Sequence, residues 1–204
     1  MSNFYSTPEF DPYGPRNENC YFGSWWKDGG LDIQWPSREA PKVFAYLRAA
    51  RGIEILLNTL AELRWPIIAY VSDLPPGLSS RYAESTIRFL DRPANVSTLL
   101  PQCDIVICHG NLATTSQSLL AGKPLLLLPR ILEHRLNSER AAELNAAVLA
   151  PFDSGELLTR QLLRLMNDDN HRLAAQAFSA KHRNHDQGQQ IARACDALEA
   201  SAKS

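Results

Sequence analysis

Residues 103–129 read CDIVICHGNLATTSQSLLAGKPLLLLP. Two short apolar runs, 104–108 and 125–128, flank a polar turn and a nine-residue stretch of helical character. Each run is apolar at consecutive positions rather than alternate ones. Only a strand covered on both faces looks like that. The intervening segment is long enough for a crossover helix, so the two runs read as neighbouring parallel strands. His109, Gly110 and Asn111 fall where the first strand ends.

Working outward, the same alternation recurs. Upstream, 42–47 (KVFAYL), 66–71 (PIIAYV) and 86–90 (TIRFL) are β-rich apolar runs. Ile53, Leu56, Leu57, Leu60 and Leu63 between the first two fall at helical spacing. The stretch SDLPPGLSSRYAES is loop, broken by prolines and serines, and a helical turn is expected at 96–100. Downstream, 113–121 and 132–144 read as helices and 146–150 as a last strand. Leu158, Leu162, Leu165 and Met166 stripe a further helix, 172–181 another, and Ile191, Cys195 and Leu198 a third. Asp153 and Asp168 are the expected N-caps of the first two of these. Strand–helix alternation defines an α/β class: an open, doubly wound parallel sheet of about six strands with C-terminal helices. Residues 1–40 are different. Pro8, Pro12, Pro15 and Pro36, the pair Gly29-Gly30 and many aromatics, including Trp25 and Trp26, sustain no period. They read as a linker-like arm packed by individual side chains, and 41–204 as the domain proper.

Composition narrows the function. Of 204 residues, 45% are hydrophobic and 21% charged, as in ordinary globular proteins, and the net charge of −1 gives no footprint for nucleic acid. No run reaches the roughly 20 apolar residues of a membrane span. The N-terminus lacks the pattern of a signal peptide, so a cytoplasmic protein, or a piece cut from a longer one, is expected. The four cysteines form no C-x-x-C. Cys103 and Cys108 read as small core residues, and no metal site is expected.

In doubly wound sheets ligands bind beyond the carboxyl ends of the strands. Gly110 and Asn111 take positive φ at low cost, which suits a sharp turn there. Thr114 and Thr115 follow in the first turn of a helix, whose unpaired N–H groups and partial positive charge suit an anion such as phosphate. His109 adds a donor at the rim. The spacing equally admits plain helix capping with His109 as a satisfied turn residue. After the next strand, Glu133, His134 and Asn137 share one face of a helix start by their i+3 and i+4 spacing. A carboxylate, an imidazole and an amide together suit a hydroxyl-rich ligand, or else they form a solvated first turn with Glu133 complementing the helix dipole.

The run HGNLATTSQSLLAGKPLLLLPRILEHRLNSER resembles the donor-binding domain of GT-B glycosyltransferases, the group of UDP-glucosyl/glucuronosyltransferases, antibiotic glycosyltransferases and MurG-like enzymes. Their pattern is H-G-G-x-G-[ST]-x-x-E-[AS]-L-x-x-G-x-P, then P-x-x-x-[DE]-Q-x-x-N-A. His109, Gly110, Thr114, Ser118, Leu119, Gly122, Pro124, Pro129, Glu133 and Asn137 match it. LLPQCD resembles the family's lead-in, TPEFDPYGPRNENCYFG its interdomain segment and VFAYL the first donor-domain strand. The resemblance implies a Rossmann-like half of a GT-B enzyme that binds a nucleotide-diphosphate sugar, UDP- or dTDP-linked, and needs no other cofactor. It implies that His109, Gly110, Asn111, Thr114 and Thr115 hold the diphosphate, Gln117 the ribose, and Glu133, His134 and Asn137 the donor sugar. It places the base against the segment around Phe89 to Asn95, with Arg48 as a further phosphate contact. Asn111, Ala113, Gln117 and His134 depart from the pattern. Gln117 keeps a hydrogen bond to a ribose hydroxyl without the charge assistance of a glutamate. The acceptor and the catalytic base would belong to an N-terminal domain or partner subunit, so no general base is expected in this chain. A nucleotide-sugar-binding module without transfer, or part of a nucleotide-sugar epimerase, remain the alternatives.

Overall fold

The structure, a computed structural model, describes residues 6–14, 21–27, 29–35 and 40–202. Six parallel strands form one sheet: β1 (Val43–Arg48), β2 (Ile67–Ser72), β3 (Ile87–Leu90), β4 (Ile105–Cys108), β5 (Leu125–Leu127) and β6 (Ala147–Leu149). Their order is β3-β2-β1-β4-β5-β6. The chain thus starts at the middle of the sheet, builds one edge, then crosses to β4 and builds the other. The point of reversal lies between β1 and β4, which pair from Val43–Ile105 to Tyr46–Cys108. That is where a crevice opens above the carboxyl ends of an α/β sheet.

The strands sit where the apolar runs placed them, and the reason is burial on two sides. Val43, Ala45 and Leu47 face α1 (Ile53–Leu63) and α5 (Gly155–Asn167), meeting Leu56, Leu60, Leu158 and Leu162. Phe44, Val106, Cys108, Leu125 and Leu127 face the other way. They meet Leu99 of α2 (Val96–Leu99), Leu119 of α3 (Leu112–Leu120), Ala141 of α4 (Leu132–Glu143) and Phe178 of α6 (Asp169–Lys181). Each fully buried leucine contributes about 1.5–3 kcal/mol. Cys103 and Cys108 belong to this second core, and burial pushes their thiols up to about 12 and about 11, so both stay protonated apolar groups.

Two local expectations change. The N-cap of α5 is Ser154, whose hydroxyl accepts the Leu157 N–H at 3.3 Å, and not Asp153. The cap of α6 is Asp168 as expected, accepting from Asn170 N–H at 3.1 Å. The last helix is α7 (Gln187–Ala202). Among the described residues no helix is long and apolar enough to cross a membrane.

The aperiodic N-terminal segment packs residue by residue along the α6–α7 side. The Phe10 ring meets Phe178 edge-on at 6.3 Å, and Ser24 Oγ donates to Ser116 Oγ of α3 at 2.8 Å. Glu9 takes hydrogen bonds from Lys181 Nζ (2.6 Å) and His182 Nε2 (2.9 Å). Cys20 and Pro15 lie outside the described residues.

Candidate functional site

The turn after β4 is built on two residues. Gly110 has φ +88°, and an added Cβ would run into Ser138 Oγ and come within 2.7 Å of His134 O. Only glycine lets β4 turn so closely under the start of α4. Asn111, by contrast, is extended (φ −63°, ψ 137°), so the sharp turn rests on Gly110 alone and the freedom expected of Asn111 is not used. Asn111 is the N-cap of α3 by position, yet its side chain does not cap the helix. Its Nδ2 donates instead to Thr114 Oγ1 at 2.9 Å. The first-turn amides of α3 therefore have no side-chain cap, which leaves a helix N-terminus suited to an anion.

His109 underlies this turn. Arg48 N–H, at the end of β1, donates to His109 Nε2 at 2.9 Å, and Nδ1 lies 3.1 Å from Leu128 O beyond β5. Because Nε2 accepts, the proton belongs on Nδ1, which donates to the Leu128 carbonyl. One imidazole thus ties the carboxyl ends of β1, β4 and β5 together across the point where strand order reverses. Burial lowers its pKa, outweighing the opposing effect of the Leu128 carbonyl and of the Arg48 carbonyl, whose oxygen lies 3.1 Å from Nε2, so the ring is neutral near pH 7. His134 lies parallel to it (centroids 5.8 Å, 9°), and Phe152 stacks on it at 5.4 Å. Burial also lowers the His134 pKa, and its Nδ1 is buried without a hydrogen-bond partner.

The other expected residues divide. Asn111, Thr114 and Gln117 line one cavity of about 560 Å³ above the β1–β4 crevice. Gln117 is nearly buried and donates to Ser97 Oγ at 3.2 Å. Thr115 is wholly buried, its hydroxyl 3.8 Å from Cys108 Sγ, so its side chain packs under the turn. Asn137 is buried and donates to Gly110 O at 3.1 Å, fastening α4 to the turn. Glu133 is exposed in the first turn of α4, so the shared face of 133, 134 and 137 splits into a buried amide, a half-buried imidazole and an open carboxylate. Arg48 gives its amide to His109, while its guanidinium pairs with Asp73 at 2.6 Å, beyond β2.

Of the segment expected to meet a base, Arg92, Pro93 and Ala94 line the same cavity. Phe89 instead packs against Tyr82 at 6.2 Å. Trp26 and Tyr46, which no motif or spacing in the sequence marks as site residues, also line it. The signal available for Trp26 was the Trp-Trp pair beside Gly29-Gly30, a cluster without period and hence without a direction in space.

No family model matches the chain. In sequence it is 29% identical over 148 residues to a PGL/p-HBAD biosynthesis rhamnosyltransferase of Mycobacterium bovis (strain BCG / Pasteur 1173P2), covering 66% of this chain and 30% of that protein. It is 27% identical over 100 residues to the NDP-glycosyltransferase YjiC of Bacillus subtilis (strain 168), covering 48% of this chain and 25% of that one. Among solved structures, the glycosyltransferase VinC in complex with dTDP matches with a TM-score of 0.64 at 20% identity, over 78% of this chain and 43% of that chain. The glycosyltransferase SnogD from Streptomyces nogalater matches with a TM-score of 0.66 at 20% identity, over 98% and 57%. The fold is that of one Rossmann-like half of a GT-B glycosyltransferase, and the sequence relatives are glycosyltransferases. The chain spans about a third or less of the length of these two curated relatives.

Proposed function

We propose that this chain is the donor-binding half of a glycosyltransferase and holds a nucleotide-diphosphate sugar at the carboxyl ends of β1 and β4. The observation that carries the reading is the meeting of Asn111, Thr114 and Gln117 in one cavity at the uncapped N-terminus of α3. A volume of about 560 Å³ falls in the range of small-ligand sites. The diphosphate lies on the first-turn amides of α3 with Asn111 and Thr114 as side-chain donors. Gln117 meets the ribose, and His109, Gly110 and Thr115 form the frame beneath. Glu133, His134 and Asn137, at the start of α4, border the donor sugar. Arg48 serves through its backbone amide, with its guanidinium held by Asp73.

In the transfer, the acceptor oxygen attacks the anomeric carbon and the bond to the diphosphate breaks. Negative charge grows on the leaving phosphate oxygens as that bond lengthens. Fixed amide dipoles already aimed at those oxygens stabilise the charge without reorganising. The acceptor, and the base that takes its proton, belong to a second domain or subunit facing this edge of the sheet. A UDP- or dTDP-linked donor fits the reading, since VinC was solved with dTDP.

Titration of the chain with UDP, dTDP and GDP, followed by amide shifts in nuclear magnetic resonance, tests this. At least one nucleotide is expected to perturb Asn111, Thr114 and Gln117. Silence at all three positions with every nucleotide overturns the reading.

A further inference from the structure

A smaller cavity, of about 240 Å³, opens where the N-terminal segment meets the corner between α6 and α7. No described residue lines both this cavity and the donor cavity. The segment is drawn together by a bond from Gly23 N–H to Ser6 O at 3.1 Å. Gly23 has φ +68°, and a Cβ there would lie 2.6 Å from His185 Cε1, so only glycine lets the chain pass this close. The His185 ring also stacks on the Trp26 indole (centroids 5.6 Å, 26°), which fixes its direction. Lys181 and Arg193 bring positive charge to the lining, and no carboxylate among the described residues lines it. Glu9 beside it is already matched by Lys181 and His182. Two buried side-chain atoms of the lining residues are unsatisfied. Thr7 is 4% exposed, and its Oγ1 has no hydrogen-bond partner. Nε2 of His185 has none either. The His185 ring bonds the Ser24 backbone in the sense that favours its protonated form, so Nδ1 donates to the Ser24 carbonyl. Burial outweighs that bond and lowers the pKa, which leaves Nε2 a buried lone pair. Such atoms cost free energy until something bonds them.

We propose that this cavity binds inorganic phosphate, at a site separate from the donor cavity. Lys181 and Arg193 attract the anion, and the Thr7 hydroxyl donates to one of its oxygens. The Nε2 lone pair of His185 asks for a donor, and hydrogen phosphate has one in its remaining P–O–H. Sulfate has the same shape but no proton to give near neutral pH. A phosphate monoester is there largely the dianion, its second pKa being about 6, and it lacks the proton too. The volume is below that of sites for drug-sized ligands, which suits one tetrahedral anion and excludes a nucleotide. The inference stands on its own residues and does not depend on the donor reading.

Titration of the full chain with inorganic phosphate, methyl phosphate and sulfate near neutral pH and at constant ionic strength tests the proposal, followed by nuclear magnetic resonance. Inorganic phosphate is expected to give saturable shifts at the Thr7 and Gly23 amides and the His185 ring. Methyl phosphate and sulfate are expected to bind there about tenfold more weakly, the size of one lost hydrogen bond to a charged group. Thr7→Val is expected to weaken inorganic phosphate by about the same factor, and so is Arg193→Gln. Sulfate or methyl phosphate that binds as tightly as inorganic phosphate overturns the proposal. So do shifts confined to Asn111 and Thr114, which would put the ion at the donor site. A Thr7→Val protein that binds phosphate as wild type does overturns it as well. Should that variant fail to fold, Arg193→Gln, at an exposed position, decides, and unchanged affinity there has the same meaning.

Discussion

Gly110 is the residue on which the site turns. Its positive φ and the absence of room for a Cβ against α4 are separate constraints, and both act on the same atom. Gly110→Ala is therefore expected to cost about 2–4 kcal/mol, the sum of a strained φ and an overpacked contact. Chemical denaturation measures it, and a loss below 1 kcal/mol would show that the turn relaxes. The importance of this glycine was legible from HGN at a strand end. The geometry of its neighbour was not, because asparagine is at home in both extended and left-handed backbone. Nor did the sequence tell which threonine faces out. Thr114 and Thr115 differ by one position on a helix, a rotation that sends one hydroxyl to the cavity and the other to Cys108.

At the scale of elements, the strands and helices were legible because each carries a period or a bilateral apolar run that burial then enforces. Their ends were less so. Asp153 and Ser154 are adjacent and both are good caps by type, so pattern alone did not choose between them. The choice is made by where Leu158 must point to reach the core, which sets the phase of α5 and places Ser154 at its mouth. Ser154→Ala is expected to lower stability by about 1 kcal/mol. Asp153→Ala, at an exposed position, is expected to change it by less than about 0.5 kcal/mol. Thermal or denaturant unfolding of the two variants side by side distinguishes them, and equal losses would refute the assignment.

At the scale of the molecule, the doubly wound class follows from alternation and the rule for parallel crossovers, whereas the strand order and the course of the N-terminal segment do not. Aromatic side chains without a period announce burial but not a partner. One fastening of that segment is electrostatic. Burial alone would raise the Glu9 carboxyl, yet the hydrogen bonds from His182 and Lys181 prevail and hold it well below the usual carboxylate value of 4.5. A carboxyl whose pKa is depressed by folding stabilises the folded state fully above its unfolded pKa and loses that contribution as pH falls. The stability gap between wild type and Glu9→Gln is thus expected to shrink as pH falls below the usual value of 4.5. Its size is about 1–2 kcal/mol, discounted because Lys181 is largely exposed. Denaturation curves from pH 3 to 8 give the profile, and a gap that widens in acid would contradict it.

The imidazole of His109 has a consequence in time as well as in space. Its two bonds join positions 61 and 19 residues apart in the chain. Neither can close until β1, β4 and the end of β5 have met, and contacts of long sequence separation form late and slowly. The turn on which the proposed donor site rests is consequently incomplete until these strands have paired. A half-folded chain has no such turn to offer, so the proposed donor would select the finished sheet and draw the folding equilibrium towards it.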